Sequence, residues 1–478
     1  MISSIRRTKI IATVGPACSE ESDLLRLLQK GVDIFRINAS HTDPDKLKSW
    51  IRRLRKVACQ ANRNVPILVD LQGPRVRTGP LKNHETIKLK KGDTLIISAK
   101  KGAGQGQIIY TDCPQLPRMV KKHDPVLLDN GLIELAVSTI HHDEIHCRVE
   151  VGGFLGENKG INLPNAPVTL PALTPKDLKD LAIAAHEEVD FIALSFVRSR
   201  HDVMAVKRWL VKHHLSIPVV AKIEKPRAVE DIDEILSKTD AVMIARGDLG
   251  IEMQVDKIPV IQKKLIAKAN ERGVPVITAT QMLESMIQQA IPTRAEASDV
   301  ANAVFDGTDA VMLSGETAVG AYPDRAVRIM ADIIRDAEKY DDGLLLTRQN
   351  KLNVLDTKLA AISQAAVSAA KRLKARSILV FTLTGKTALF ISKLGLHIPI
   401  IALTQKESIS KRLQLLSGVY PLTIDYSGKS ADDLLKSCDK SVLKYGLLKR
   451  GETVVILTGR QALPAARFMV KFHEIGTA

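Results

Sequence analysis

Eight short runs rich in Val and Ile constrain this chain more than any other feature. They are KIIATVG (9–15), VDIFRINAS (32–40), VPILVDLQG (65–73), VDFIALSFV (189–197), IPVVAKIE (217–224), DAVMIARGD (240–248), VPVITATQ (274–281) and DAVMLSGE (309–316). Each ends in a polar or glycine-bearing turn. Most are separated by segments of helical period, such as ESDLLRLLQKG (21–31) and IPVIQKKLIAKANERG (258–273). Apolar strands alternating with amphipathic helices predict a parallel sheet covered by helices. Eight strands is the number that closes a (β/α)8 TIM barrel. An open doubly wound sheet is the alternative, but the turn after the first run is not GxGxxG.

The alternation breaks between Asp70 and Val189, an interval far longer than a normal loop. Its first part reads as β: RVRTG, TIKLKKGDTLIIS, DPVLLDNGLIELAV and IHCRVEVGGFLG, broken by Gly, Pro and Asn. This predicts a barrel in two parts, 1–71 and 168–344, with a small β-barrel domain inserted at 72–167. The helical pattern resumes in LTPKDLKDLAIAAHEE, with Thr174 as N-cap and Pro175 at the first helical position. From 345 to 478 a second α/β unit is expected, with strands SILVFTLTG, HIPIIALT, VYPLTID and ETVVILTG.

Composition narrows the function classes. The 478 residues carry a formal charge of +16, but only 4% are aromatic and no nucleic-acid-binding motif occurs. Nucleic acid is therefore disfavoured, which leaves a solvated basic surface or phosphorylated small molecules. No apolar run approaches the ~18 residues of a membrane span. The N-terminus lacks the apolar core of a signal peptide. Five scattered cysteines without a CxxC pair fit a reducing cytoplasm.

In such a barrel the active residues gather at the C-terminal strand ends. Those positions hold Arg36, Asn38 and Ser40; Asp70; Ser195; Lys222 and Glu224; Arg246 and Asp248; Thr278 and Thr280; Ser314 and Glu316. All are expected to face one site. Strand alternation puts Lys222 and Glu224 on the same side. Glu224 and Asp248 end consecutive strands, about 4.8 Å apart, and offer oxygen ligands to Mg²⁺ or Mn²⁺. A buried Lys–Glu pair closing the barrel mouth is the alternative for Lys222 and Glu224, and the second carboxylate on the next strand weighs against it. In the C-terminal unit, TLTGKT (382–387) joins a strand to a helix, giving an anion site or an ordinary hydroxyl-rich cap. Val380 excludes a Walker A loop.

RINASH (36–41), DLQGPRVRTG (70–79), AKIEKP (221–226), ARGDLGIE (245–252), ITATQMLESM (277–286) and PTRAEASDVANAVFDGTDAVMLSGETA (292–318) together resemble the pyruvate kinase family, in its order and over nearly the whole chain. The resemblance implies a (β/α)8 barrel with a β-barrel lid and a C-terminal regulatory domain. It implies a cytoplasmic glycolytic phosphotransferase moving the phosphoryl group of phosphoenolpyruvate to ADP, with Mg²⁺, in a homotetramer. By resemblance, Lys222 stabilises the transferring phosphoryl group, and Glu224 and Asp248 bind Mg²⁺. Arg36, Ser195, Gly247 and Thr280 contact phosphoenolpyruvate, and Thr280 helps proton delivery to the enolate. Arg36, Asn38, His41 and Arg77 lie near the nucleotide. Asn38, Ser40, Asp70 and the carbonyl of Leu71 match the monovalent-cation ligands. The TLTGKT turn, with Thr382, Thr384, Gly385, Lys386 and Thr387, suggests a site for a phosphorylated effector, which the sequence does not identify.

Three departures qualify the match. Arg75 stands where many members carry Glu and need K⁺, so activity independent of K⁺ is expected. Val319 stands where some members have lysine after GETA. The stretch LTGRQALPAARFMVKFHEIG lacks the glycine-rich loop that grips fructose 1,6-bisphosphate in some members. Two other readings are an aldolase or lyase barrel handling an enolate, and a basic nucleic-acid-binding or regulatory protein with a dead barrel. The intact Lys222, Glu224, Asp248 and Thr280 oppose the last.

Overall fold

A computed structural model describes residues 6–164, 170–344, 357–425, 431–459 and 468–477. Eight parallel strands close a barrel: β1 (Lys9–Thr13), β2 (Ile34–Asn38), β3 (Ile67–Asp70), β4 (Phe191–Leu194), β5 (Val219–Ile223), β6 (Ala241–Ala245), β7 (Val276–Ala279) and β8 (Ala310–Leu313). Each strand pairs with its neighbour in sequence, and β1 pairs with β8 to complete the ring. Nearly all their residues are buried because the sheet is packed on both faces. Ile11, Ile34, Leu68, Ala193, Val220, Met243, Ile277 and Met312 fill the lumen. Alternate residues such as Phe35, Val69, Ala221 and Ile244 pack against the helical ring.

The helices begin and end as their sequences dictate. Glu21–Lys30 stops at Gly31, whose φ of 124° suits glycine. Pro175–His186 starts at Thr174, whose hydroxyl accepts from Asp177 N while the Asp177 carboxylate accepts from Thr174 N.

Between β3 and β4 the chain builds a six-stranded sheet and a two-stranded sheet around a separate apolar core that includes Leu95, Leu135 and Val149. The predicted return of this insertion near Pro167 lies outside the described residues. The C-terminal unit is a five-stranded sheet of β9 (Ser377–Phe381), β10 (Ile400–Thr404), β11 (Val419–Thr423), β12 (Thr453–Thr458) and β13 (Val470–Glu474). Four strands are parallel, as the alternation predicts, and β13 adds an antiparallel edge. The predicted start of this unit at 345 also falls outside the described residues. No described helix is long and apolar enough to cross a membrane.

Candidate active site

The barrel mouth is organised around Lys222. Its side chain points inward from β5, is buried, and reaches Ser195 Oγ at 2.8 Å, Glu224 Oε1 at 3.0 Å and Asp70 Oδ1 at 3.2 Å. Arg36 enters from β2, where its Nε and Nη2 meet Asp70 Oδ2 at 2.8 Å and its Nη1 donates to Thr13 Oγ1 at 2.9 Å. Ser195 Oγ donates to the Leu71 carbonyl at 2.7 Å. Two cations thus share one aspartate. Burial alone would push the Asp70 carboxyl up, but Lys222 and Arg36 outweigh it and hold it below the usual carboxylate range. Burial alone would likewise lower Lys222, yet Asp70 and Glu224 keep its ammonium above the ordinary lysine value. The lysine is a fixed positive charge.

Glu224 differs. It is almost completely buried, and its Oε2 accepts from Phe196 N at 2.7 Å, on a residue with φ of 54°. Burial raises its carboxyl; Lys222 opposes this and the nearby Asp248 adds to it. Asp248 sits in the first turn of the helix Arg246–Glu252, 3.8 Å from Arg75, whose Nη2 also donates to Asn130 Oδ1 at 3.1 Å. Two carboxylates that repel each other in a buried mouth are hard oxygen donors suited to a divalent cation. Among the described residues no group of three or more His, Cys, Asp or Glu could hold a metal alone. With two carboxylates alone, any such ion would take its remaining ligands from substrate oxygens and water.

Thr280 lies beside this centre. Its Oγ1 accepts from Gly247 N at 2.7 Å and donates to the Ala279 carbonyl at 2.6 Å. Next to Arg36 a cavity of about 660 Å³ opens, lined among others by Asn38, His41, Lys46, Trp50 and Arg53. Asn38 Oδ1 accepts from Ser40 N at 3.2 Å, which turns the chain into this wall. Burial, then the charges of Arg77, Arg75 and Arg36, holds the His41 imidazole below its ordinary value. Arg77 Nη1 donates to the Asn158 carbonyl at 3.0 Å.

Three expected strand-end groups do not face the mouth. Arg246 points outward to Asp299, Gln262 and the Thr280 carbonyl. Thr278 is fully buried toward the helical layer and hydrogen-bonds Thr308 Oγ1 at 3.0 Å. Glu316 is buried and accepts from Leu283 N at 3.0 Å and Ser314 N at 2.7 Å, which fixes two loops. Side-chain parity excludes the first two: Thr278 lies between the lumen residues Ile277 and Ala279, and Arg246 is an odd number of residues from the lumen residues Ala241 and Met243. Sequence reasoning missed Lys46, Trp50 and Arg53. Their spacing along Pro44–Gln60 places them on one helical face, and that was the available signal.

In the C-terminal unit, residues 382–387 form the turn between β9 and the helix Lys386–Lys393. Thr382 Oγ1 accepts from Gly385 N at 2.9 Å, and Gly385 has φ of 84°. Thr384 and Lys386 are exposed.

Comparison with known proteins decides the family. The family model described as "Pyruvate kinase, barrel domain" matches residues 5–327, and "Pyruvate kinase, alpha/beta domain" matches 360–465. The chain belongs to the pyruvate kinase family. It is 40% identical to a pyruvate kinase of Corynebacterium glutamicum, over 98% of each chain. It is 41% identical to pyruvate kinase 2 of Synechocystis, over 98% of this chain and 79% of the relative. A crystal structure of a pyruvate kinase from Cryptosporidium parvum superposes with a TM-score of 0.92 at 35% identity, covering 99% of this chain and 97% of that one. The enzyme is thus a phosphotransferase that takes phosphoenolpyruvate and ADP to pyruvate and ATP.

Proposed function

We propose that the transfer takes place at the mouth built on β2 to β7, with Lys222 as the group that meets the moving phosphoryl. The buried Lys222 ammonium, held between Asp70, Glu224 and Ser195, is the observation that carries this reading. Phosphoryl transfer needs positioning and charge neutralisation more than covalent chemistry. A cation already oriented by three partners needs no reorganisation as charge develops on the equatorial oxygens. Arg36, anchored on Asp70, contributes a second positive charge between the phosphate and the 660 Å³ cavity, which we assign to the nucleotide together with Asn38, His41 and Arg77.

Glu224 and Asp248 would hold Mg²⁺ or Mn²⁺, which when bound supplies Lewis-acid neutralisation of the phosphate and enolate oxygens. Gly247 and Ser195 would line the phosphoenolpyruvate site, and Thr280 would face the enolate. In the second half-reaction the enolate carbon takes a proton and its oxygen becomes the carbonyl of pyruvate; the Thr280 hydroxyl donates or relays that proton. Asn38, Ser40, Asp70 and the Leu71 carbonyl are the candidate monovalent-cation ligands, with Arg75 making the ion dispensable. The insertion at 72–167 acts as a lid. The 345–478 unit is regulatory, with Thr382, Thr384, Gly385, Lys386 and Thr387 receiving a phosphorylated effector, and the assembly is a cytoplasmic homotetramer.

A coupled assay for ATP from phosphoenolpyruvate and ADP is the test. Mg²⁺-dependent turnover is expected, and aldol or lyase chemistry on the same substrate without ATP would refute the reading.

A further inference from the structure

We propose that Arg246 is a positioning residue for the proton-transfer half of the reaction, fixing the backbone of Thr280 and so the aim of its hydroxyl. The inference rests on the assignment of Thr280 made above.

Thr280 and Gln281 have φ of 69° and 53°. A β-branched residue in the left-handed region is disfavoured and persists only when its surroundings over-determine it. Here one strand end supplies the restraint twice over. Arg246 Nη2 donates to the Thr280 carbonyl at 2.8 Å and lies 3.4 Å from that of Gln281 and 2.7 Å from Met282 Sδ. The next residue, Gly247, gives its N–H to Thr280 Oγ1 at 2.7 Å. The carbonyl and the hydroxyl of one strained residue are therefore gripped by the first two residues of the helix that follows β6.

The guanidinium is itself held. Its Nη1 donates to Asp299 Oδ1 at 2.6 Å and to Gln262 Oε1 at 3.3 Å, on two helices of the outer ring. Among the described residues its buried Nε has no hydrogen-bond partner. A planar fork can span three successive loop residues and a carboxylate at once, whereas a lysine ammonium cannot. Because Arg246 points away from the mouth, it acts only through Thr280.

Exchange of the methyl hydrogens of pyruvate into D2O isolates the proton step. A C–H bond breaks, its electron pair forms the enolate, and a solvent deuteron returns to carbon. The exchange is followed by NMR with the full enzyme, Mg²⁺ and inorganic phosphate. In Arg246→Lys the exchange rate is expected to fall at least about tenfold, with KM for phosphoenolpyruvate within about twofold. In the Thr280→Ala background the same change is expected to cost nothing further, the mark of two residues acting as one. Should Arg246→Lys fail to fold, Asp299→Asn, which only loosens the guanidinium, is expected to slow exchange about threefold. Unchanged exchange in a folded Arg246→Lys or Asp299→Asn, or losses that multiply in the double variant, would overturn the proposal. Full exchange in Thr280→Ala overturns the Thr280 assignment itself, recognised because that variant lacks the hydroxyl.

Discussion

At the residue scale, the shared aspartate is the most exposed point of the account. Asp70 balances Lys222 and Arg36 in a buried setting. Removing one partner of a buried ion pair leaves charge uncompensated and costs about 3 kcal/mol or more. Asp70→Asn is therefore expected to lose roughly that much stability in chemical denaturation at pH 7. The pH dependence follows from the depressed carboxyl. Its contribution is complete above the unfolded value near about 4 and is lost as pH falls through the lower folded value. The gap between wild type and Asp70→Asn should stay constant from about pH 7 to 5 and close only below about 4. For the carboxylates proposed to hold the metal, Glu224→Gln is expected to raise the Mg²⁺ concentration for half-maximal turnover at least about tenfold, measured by Mg²⁺ titration. The place of Lys222, Glu224 and Asp248 at the barrel mouth was legible because charge in an apolar strand end is costly to bury. Arg246, Thr278 and Glu316 carried the same signal for other reasons: an outward grip, a helix-layer hydroxyl and a backbone acceptor. Hydrophobic content does not separate these cases; inward or outward parity does, for the residues close to their strands.

At the scale of elements, the eight strands were readable because parallel strands buried on both faces cannot tolerate polar interiors. The helical wall of the large cavity was not, since Lys46, Trp50 and Arg53 look like an ordinary half-exposed helix face until β2 sets its direction. The loop after β3 carries a separate expectation. Arg75 places a permanent positive charge between Asp248 and Asn130 and within electrostatic reach of His41. Turnover should change less than about twofold when K⁺ is replaced by tetramethylammonium at fixed ionic strength. Strong activation by K⁺ would show that the guanidinium does not substitute for the ion.

At the scale of the molecule, the barrel and the C-terminal sheet are joined through the barrel floor. Lys9, at the start of β1, is buried there, donates to the Val419 carbonyl of β11 at 2.8 Å and lies 4.5 Å from the Tyr420 ring centre. Burial, opposed by Asp33, pushes its ammonium down to about 8. The unfolded chain thus binds more protons than the native one above that value, so this group adds stability as pH rises from about 8 toward 10. Wild type should gain on Lys9→Met across that window in thermal unfolding, and a parallel pair of curves would contradict it. No local pattern reveals such a joint, because its partners lie 410 residues apart. Domain order was legible from alternation, whereas contact between domains was not.

Lys222 is proposed to meet the phosphoryl group in flight. Steady-state turnover of Lys222→Gln with phosphoenolpyruvate, ADP and Mg²⁺ tests it most directly. A fixed charge aimed at the transition state should cost about 10²- to 10³-fold in kcat when removed, with KM values little changed. A folded Lys222→Gln enzyme retaining wild-type kcat would contradict the account.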